Sequence, residues 1–436
     1  MANRPATGLS GGEPGSSHPQ APLNLRLLVL SRMYPRPGFP SSGIFIEHWA
    51  RAIADHVRSL EVISPQVYVP PLLRRMPRYA HYQTPLFEQR RGLNVHRPVY
   101  PRPPGAWFGT LEPGFLVRSI RPVARRLLRD QPADILLAVN LIPDGAAAVR
   151  LGRELGLKVV VNVIGSDVTL LARQSPRSRR LAQGVCRGAD LLLCQSQELC
   201  QEVLAMGATP ERAIRYWRGL DTRIFDDLPD KADCRRLWNL ASDDQTLIVF
   251  VGRISHRKGA FDLLEAVAGL GSRGASRLRL GMIGEPAELQ ALRERSAQLG
   301  LADRITVTGL LEHAQVLRRV KGADLLVLPS HTEGLPNSVL EAFAAGVPVA
   351  ASLVGGLREI AQLGDVFYPF ESGDVAGLTR CLRSALGNPQ QTAAKAQAAR
   401  ELIHEHLDLS RNTAWLVQRL MSLVHQSNQV NQPHAR

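Results

Sequence analysis

The sequence predicts an α/β protein built of two doubly wound, parallel-sheet domains that face a cleft. Short apolar runs bounded by turn residues alternate with longer stretches of helical periodicity, as buried parallel strands joined by crossover helices require. The alternation lapses over a charged segment, Phe225 to Asp244, and restarts near residue 245. A chain of 436 residues also exceeds what one hydrophobic core ordinarily serves, so two or three domains are expected.

Leu25 to Ser31, LRLLVLS, reads as the first buried strand. A Pro/Gly loop follows from Tyr34 to Gly43, and Ile44 to Val57 has helical periodicity. Further strands are expected at 134–139, 158–164 and 190–194, with helices at 116–129, 144–155, 178–188 and 197–206. The second unit reads as strands 246–252, 277–283, 304–308 and 324–328, with helices 259–270 and 286–299 and a helical piece around 234–240. The expected limits are 23–228 for the first domain and 229–408 for the second. A helix at about 409–426 closes the fold, and residues 1–22 and 427–436 read as disordered tails.

Hydrophobic content of 44% and charged content of 21% are those of an ordinary soluble protein. Five cysteines without a C-x-x-C argue against a disulfide framework or a zinc site and fit reduced thiols in a cytoplasm. Residues 1–22 contain no apolar leader core, and Leu25 to Leu30 is too short to span a bilayer. The net charge of +14 sits almost wholly in residues 1–228, as arginine. This suggests an anionic partner for that half, whether nucleic acid, an acidic membrane surface or an acidic acceptor, although a genome rich in arginine codons gives the same bias. The Pro-, Arg- and aromatic-rich stretch Val67 to Phe108 reads as a mobile functional loop, not sheet core. Its Arg74, Arg75, Arg78, Tyr79, Tyr82, Trp107 and Phe108 suit a lipid headgroup layer, a nucleic acid or a solvated excursion alike.

Chemistry concentrates in two blocks. Ser330 to Gly356 reads SHTEGLPNSVLEAFAAGVPVAASLVGG. An apolar strand leads into an acidic loop and a helix start, a place where open α/β sheets hold polar ligands. The amides of Gly334, Leu335 and Asn337 can face an anion beside Pro336. Glu341 lies about 7–8 Å along the helix from that start, so a phosphate at the helix end leaves a ribose beside Glu341 and a sugar beside Glu333. The second block, VGRISHRKG from Val251 to Gly259, ends a strand and opens a helix across a basic loop. Its Arg253 and Lys258 supply two cations for concentrated negative charge, while His256 and Arg257 read as loop residues.

Together these blocks resemble the glutamate-x7-glutamate signature of the retaining GT4-type glycosyltransferases, which have the GT-B fold of two Rossmann-like domains. The resemblance extends over roughly residues 25 to 425. It implies that Glu341 binds the donor ribose, that Glu333 contacts the donor sugar, and that Arg253 and Lys258 hold the diphosphate. Gly43 matches a glycine loop near the phosphates, Gly284 a place where base or ribose approaches the backbone, Gly355 and Gly356 a tight turn beside the donor with Glu359 near it, and Thr308-Gly309 a loop cupping the base. The run NVIGSDV, Asn162 to Val168, matches an acceptor-side loop. Many members have a histidine before Gly-Ser-Asp; here Ile164 stands there and can neither shuttle protons nor bond a hydroxyl. Asp167 remains as the candidate for orienting acceptor or donor sugar, with a helix N-cap as its other reading. Arg218 replaces the asparagine of a common Asn-Gly-Val-Asp stretch and reads as part of an interdomain element.

The resemblance implies a metal-independent hexosyltransferase with no cofactor. Its partners would be a nucleotide diphosphate sugar and a glycan or lipid-linked acceptor, with no nucleic acid. It would work at or near the cytoplasmic membrane face, through contact of its basic first domain with anionic lipid, in cell-surface glycan synthesis. The last helix is expected to cross back onto the first domain. An epimerase or phosphorylase on the same fold and a catalytically silent nucleotide-sugar sensor are the alternatives. Two decoys drop out: Gly269 to Gly274 matches G-x-G-x-x-G but follows a helix and precedes a strand, and His404-Glu-His406 lacks the spacing of a zinc helix.

Overall fold

A computed structural model describes residues 22–37, 43–76, 84–102, 110–240, 242, 244–271 and 277–430. Two sheets dominate it. The first has eight strands, in the order Ala213–Arg215, Leu191–Cys194, Lys158–Val163, Ile135–Val139, Leu23–Leu30, Val57–Ile63, Leu93–His96 and Phe87–Arg90. All neighbours are parallel except the edge hairpin of Phe87–Arg90 with Leu93–His96. The second has six parallel strands, in the order Ile305–Gly309, Leu278–Ile283, Thr246–Val251, Leu325–Leu328, Val349–Ser352 and Tyr368–Phe370.

Period-2 alternation on a doubly covered sheet explains why these strands read as unbroken apolar runs. Along the first strand, Leu28 and Leu30 enter one core, whereas Leu25, Leu27 and Val29 enter the core on the opposite face. The second sheet is enclosed by a single core that includes Ile248, Phe250, Leu326, Val339 and Phe343. All five cysteines are free, four of them buried.

The strand orders fix where a ligand can sit. In the second sheet the chain starts at Thr246–Val251, moves outward through Leu278–Ile283 to Ile305–Gly309, then returns to the other side at Leu325–Leu328. Its winding therefore reverses between Thr246–Val251 and Leu325–Leu328, and the loops leaving these two strands diverge to leave a crevice. Those loops carry Arg253, Lys258 and Glu333.

The stretch 67–108 departs from the expected loop. Phe87–Arg90 and Leu93–His96 extend the main sheet, and Val99–Tyr100 pairs with Gln66–Val67. Polar side chains masked these strands, but several of them find partners inside the fold. Arg97, 1% exposed, donates to Ser64 Oγ at 3.1 Å and the Pro35 carbonyl at 2.6 Å and pairs with Glu88. Arg90 pairs with the buried Glu47 at 2.8 Å, and Arg32 bonds both Asp144 and Glu112 at 2.6 Å. Part of the arginine excess thus neutralises buried acids and is not available to an external anion. Arg74 and Arg75 are exposed; Arg78, Tyr79, Tyr82, Trp107 and Phe108 lie outside the described residues. Val57–Ile63 is a strand that escapes the sequence reading because only Asp55 and His56, with no Gly or Pro, separate it from the helix Ile44–Ala54.

Two crossings tie the sheets together. Leu220 and Asp408 form a parallel bridge, with Leu220 N–H bonded to the Leu407 carbonyl at 2.8 Å and Leu409 N–H to the Leu220 carbonyl at 3.1 Å. Beyond it, the helix Leu409–Val430 packs against Ile44–Ala54. Its Leu409, Leu416, Val417 and Leu420 are buried in the first sheet's core. Each such leucine contributes roughly 1.5–3 kcal/mol of burial.

Candidate active site

Backbone geometry at the strand ends places the site. Gly259 has φ +71°, and a Cβ there would meet the Pro329 carbonyl oxygen at 1.9 Å. This close approach sets the turn His256–Lys258 against the start of the acidic loop, where His331 N–H bonds the Arg257 carbonyl at 3.0 Å. Lys258 Nζ then lies 2.5 Å from Glu333 Oε1, with the two side chains only 20% and 11% exposed. An ammonium has three donors, and Glu333 uses one of them.

Arg253 is arranged differently. Its Nε and Nη2 form a fork to Glu285, at 3.0 and 2.9 Å, and both side chains are about half exposed. Such an exposed pair is worth about 0–1 kcal/mol, so a phosphate can displace Glu285 easily. At Gly284 a Cβ would meet the Gly252 carbonyl oxygen at 2.1 Å, so the neighbouring backbone by itself requires glycine there.

Glu341 lies on the first turns of the helix Asn337–Ala344, which Pro336 caps. It is 7% exposed and bonds His313 Nε2 at 2.8 Å. His313 in turn contacts the ring of His48, on the first sheet's helix Ile44–Ala54, at 5.6 Å between centroids. Burial holds the His48 imidazole down at about 4, and the neighbouring His313 and Arg91 push the same way. Asn337 Oδ1 accepts from Arg218 Nη2 at 2.6 Å.

The two acceptor- and donor-side loops meet backbone to backbone. A Cβ on Gly334 would lie 2.4 Å from the Ile164 carbonyl oxygen, and one on Gly165 2.8 Å from Gly334 N. The Gly355-Gly356 turn supports this contact from beneath, with Gly356 N–H bonded to the Gly334 carbonyl at 2.6 Å. Leu335 is buried there. Gly43, with φ +67°, caps the helix Ile44–Ala54 and abuts the Met33 carbonyl.

Asp167 is not free to meet a sugar. It is 1% exposed, and its oxygens accept from Leu141 N at 2.6 Å, Gly165 N at 2.9 Å and Val168 N at 3.1 Å. Burial raises its pKa, and these backbone donors oppose the rise. Asp167 therefore locks the Ile164-Gly165 loop onto the end of the strand Ile135–Val139, and the carboxylate expected to orient a sugar is a scaffold group. Glu359 likewise faces the first sheet's elements, bonding Gln197 N at 2.5 Å and Arg215 Nη1 at 2.9 Å.

The structure thus places Glu333, Gly334, Leu335, Asn337 and Glu341 on one loop-helix junction, with Lys258 paired to Glu333, Gly356 bonded to Gly334, and Arg253 and Gly284 following two other strand ends. His48 and His313 carry no signal in the sequence and Arg218 reads there only as an interdomain element, since each lies on an element whose proximity to Glu341 or Asn337 only folding creates.

Comparison with known proteins agrees with this architecture. A family model described as Glycosyl transferases group 1 matches residues 237–402, and a Glycosyl transferase 4-like domain matches residues 42–217. The chain is 25% identical over 338 residues to a putative teichuronic acid biosynthesis glycosyltransferase, TuaC, of Bacillus subtilis, across 77% of this chain and 83% of that protein. It is 31% identical over 196 residues to the 2-deoxystreptamine glucosyltransferase of Streptomyces kanamyceticus, across 42% of this chain and 50% of that protein. In fold it is similar to sucrose-phosphate synthase from Thermosynechococcus elongatus, with a TM-score of 0.76, 16% identity, and coverage of 92% of this chain and 100% of that one. Anabaena HepE, solved in complex with UDP-glucose, superposes with a TM-score of 0.68 at 18% identity, across 92% of this chain and 100% of that one. With one matched domain on each side of a crevice lined by paired cation and carboxylate, the chain belongs to the glycosyltransferases of GT-B fold.

Proposed function

We propose that this glycosyltransferase is a retaining, metal-independent hexosyltransferase. It takes a sugar from a nucleotide diphosphate sugar and transfers it to a glycan or lipid-linked acceptor in cell-surface polysaccharide synthesis. The observation that carries the reading is the partly buried Lys258–Glu333 pair one helix start away from Glu341. An acid for the hexose at Glu333, a cation for the diphosphate at Lys258 and an acid for the ribose at Glu341 then match the order in which a sugar nucleotide presents those groups. The UDP-glucose in HepE and the teichuronic acid role of TuaC support the same donor and acceptor classes.

In this reading the protein positions and stabilises, and does little covalent work. As the glycosidic bond breaks, negative charge grows on the leaving diphosphate, and the Lys258 ammonium and Arg253 guanidinium stabilise it more than they do the ground state. Glu333 fixes the ammonium beforehand and faces the sugar. With Ile164 beside Gly165, the acceptor proton passes to the leaving phosphate and not to a side chain there. Asp167 holds that loop's shape. No helix among the described residues is long and apolar enough to cross a membrane; the exposed Arg74 and Arg75 are the described candidates for contact with anionic lipid at the cytoplasmic face.

The test is turnover. Purified protein given a panel of nucleotide sugars should release free nucleoside diphosphate only when an acceptor glycan or lipid-linked sugar is added, with the product keeping the donor's anomeric configuration by NMR. Inverted product would defeat the retaining assignment, and tight donor binding without turnover would favour a sensor.

A further inference from the structure

We propose that Arg218 is a third cation for the phosphates of the nucleotide donor, supplied by the segment that crosses between the sheets. The proposal rests on the donor reading above. Arg218 is only 6% exposed, yet among the described residues it forms no ion pair. The other deeply buried arginine, Arg97, is paired with Glu88, and the partly buried Arg32 with Asp144 and Glu112. At Arg218, Nη2 donates to Asn337 Oδ1 at 2.6 Å, while Nη1 is buried without a hydrogen-bond partner among the described residues. A buried guanidinium with an idle donor is costly, and a phosphate is the group whose geometry and charge remove that cost.

Its surroundings point the same way. Asn337 is the first residue of the helix Asn337–Ala344. On the other side the guanidinium lies 4.6 Å from the ring centroid of Phe45, in the first turn of the helix Ile44–Ala54 that Gly43 opens. Arg218 is thus bracketed by the amino ends of two helices from the two halves of the molecule. Each end carries a partial positive charge, so a cation between them is unfavourable until an anion joins it. Glu341, an acid whose charge reaches the guanidinium, is already bonded to His313. Burial pulls the guanidinium down to about 10, with Tyr216 and Glu341 opposing only in part. A diphosphate held here touches both halves, so the same contact would hold the cleft closed over the donor. The asparagine of the resembled Asn-Gly-Val-Asp stretch would offer only neutral donors.

Isothermal titration of the full chain with UDP, GDP, ADP, CDP and dTDP, then with the matching nucleoside of the tightest, tests this. Arg218→Asn should lose about 10- to 100-fold in diphosphate affinity with the nucleoside affinity changed less than about threefold, and Arg218→Lys should recover part of the loss. The melting temperature of Arg218→Asn without ligand should not fall, because a buried unpaired charge has been removed. Equal losses for diphosphate and nucleoside, or no recovery by lysine, would make Arg218 a structural tie to Asn337 and overturn the proposal. If Lys258→Ala weakens diphosphate binding while Arg218→Asn does not, this inference fails and the donor reading stands; if the wild-type chain binds none of the five diphosphates, both fail.

Discussion

Lys258 and Arg253 carry the same formal charge but stand in different media. Lys258 is one-fifth exposed and joined to a nearly buried carboxylate, whereas Arg253 is half exposed. Coulomb interactions weaken as the effective dielectric rises, so Lys258→Ala should lower kcat the more, by about 10²–10³, and Arg253→Ala by less; steady-state kinetics with saturating donor would show the order. Glu333→Ala frees Lys258, so it should leave nucleoside diphosphate affinity equal or tighter and suppress transfer. Glu341→Ala should weaken nucleotide binding, and equal affinity losses in the two variants would refute that division. His48 gives a pH prediction. Its imidazole titrates near 4 when folded and near 6.5 when unfolded, so only the unfolded chain takes up the proton between those values. The stability it permits is complete above about pH 6.5 and is lost as pH falls towards 4. Thermal melts from pH 7 to 4.5 should therefore drop less steeply for His48→Gln, provided the groups facing it, His313, Arg91, Asp221 and Arg51, are unchanged. The Glu-x7-Glu pair and the Arg/Lys pair were readable because spacing along a loop-helix junction survives in sequence. Nothing local marks His48 or His313, and Arg218 is marked only as a replacement for asparagine; its bond to Asn337 arises on folding.

Among elements, the two glycine loops that touch across the cleft do most to set the site's dimensions. Gly165, with φ +112°, has no room for a side chain against Gly334. Gly165→Ala should push the acceptor-side loop away from the donor-side one, and a displacement of about 1 Å can cost about 10²-fold in rate. Nucleotide affinity measured by titration should change far less, because Lys258, Glu333 and Glu341 all lie on the other side of that contact. Strands buried on both faces were legible as apolar runs. The hairpin Phe87–Arg90 with Leu93–His96 was not, because its polar side chains find partners such as Glu47 and Glu61 that no window of local sequence contains.

On the scale of the whole molecule, the two halves are held by the doubled crossing at Leu220 and Asp408, by the closing helix and by Glu359. Leu420 is fully buried in the first sheet's core although it follows the second sheet in the chain. Leu420→Ala should cost about 2–5 kcal/mol, read as an earlier denaturation midpoint; a loss under 0.5 kcal/mol would mean that the helix contributes little to that core. A nucleoside diphosphate at 100 times its Kd should raise stability by about 2.7 kcal/mol, so a thermal-shift screen of nucleotides would also identify the base.

The sequence by itself determined the two-sheet α/β architecture and where its acidic and basic loops fall along the chain. Both are local: an apolar run is a strand wherever it folds, and a basic or acidic loop after it lies at that strand's carboxyl end. Only the tertiary structure decided what each charge is for. It turned Asp167 inward to bind main-chain N–H groups, gave Glu359 to the opposing half, consumed Arg32, Arg90 and Arg97 in internal pairs, and left Arg218 buried between two helix ends without a counter-ion among the described residues. A charge's role depends on its solvent and its partners, and both are properties of the assembled fold.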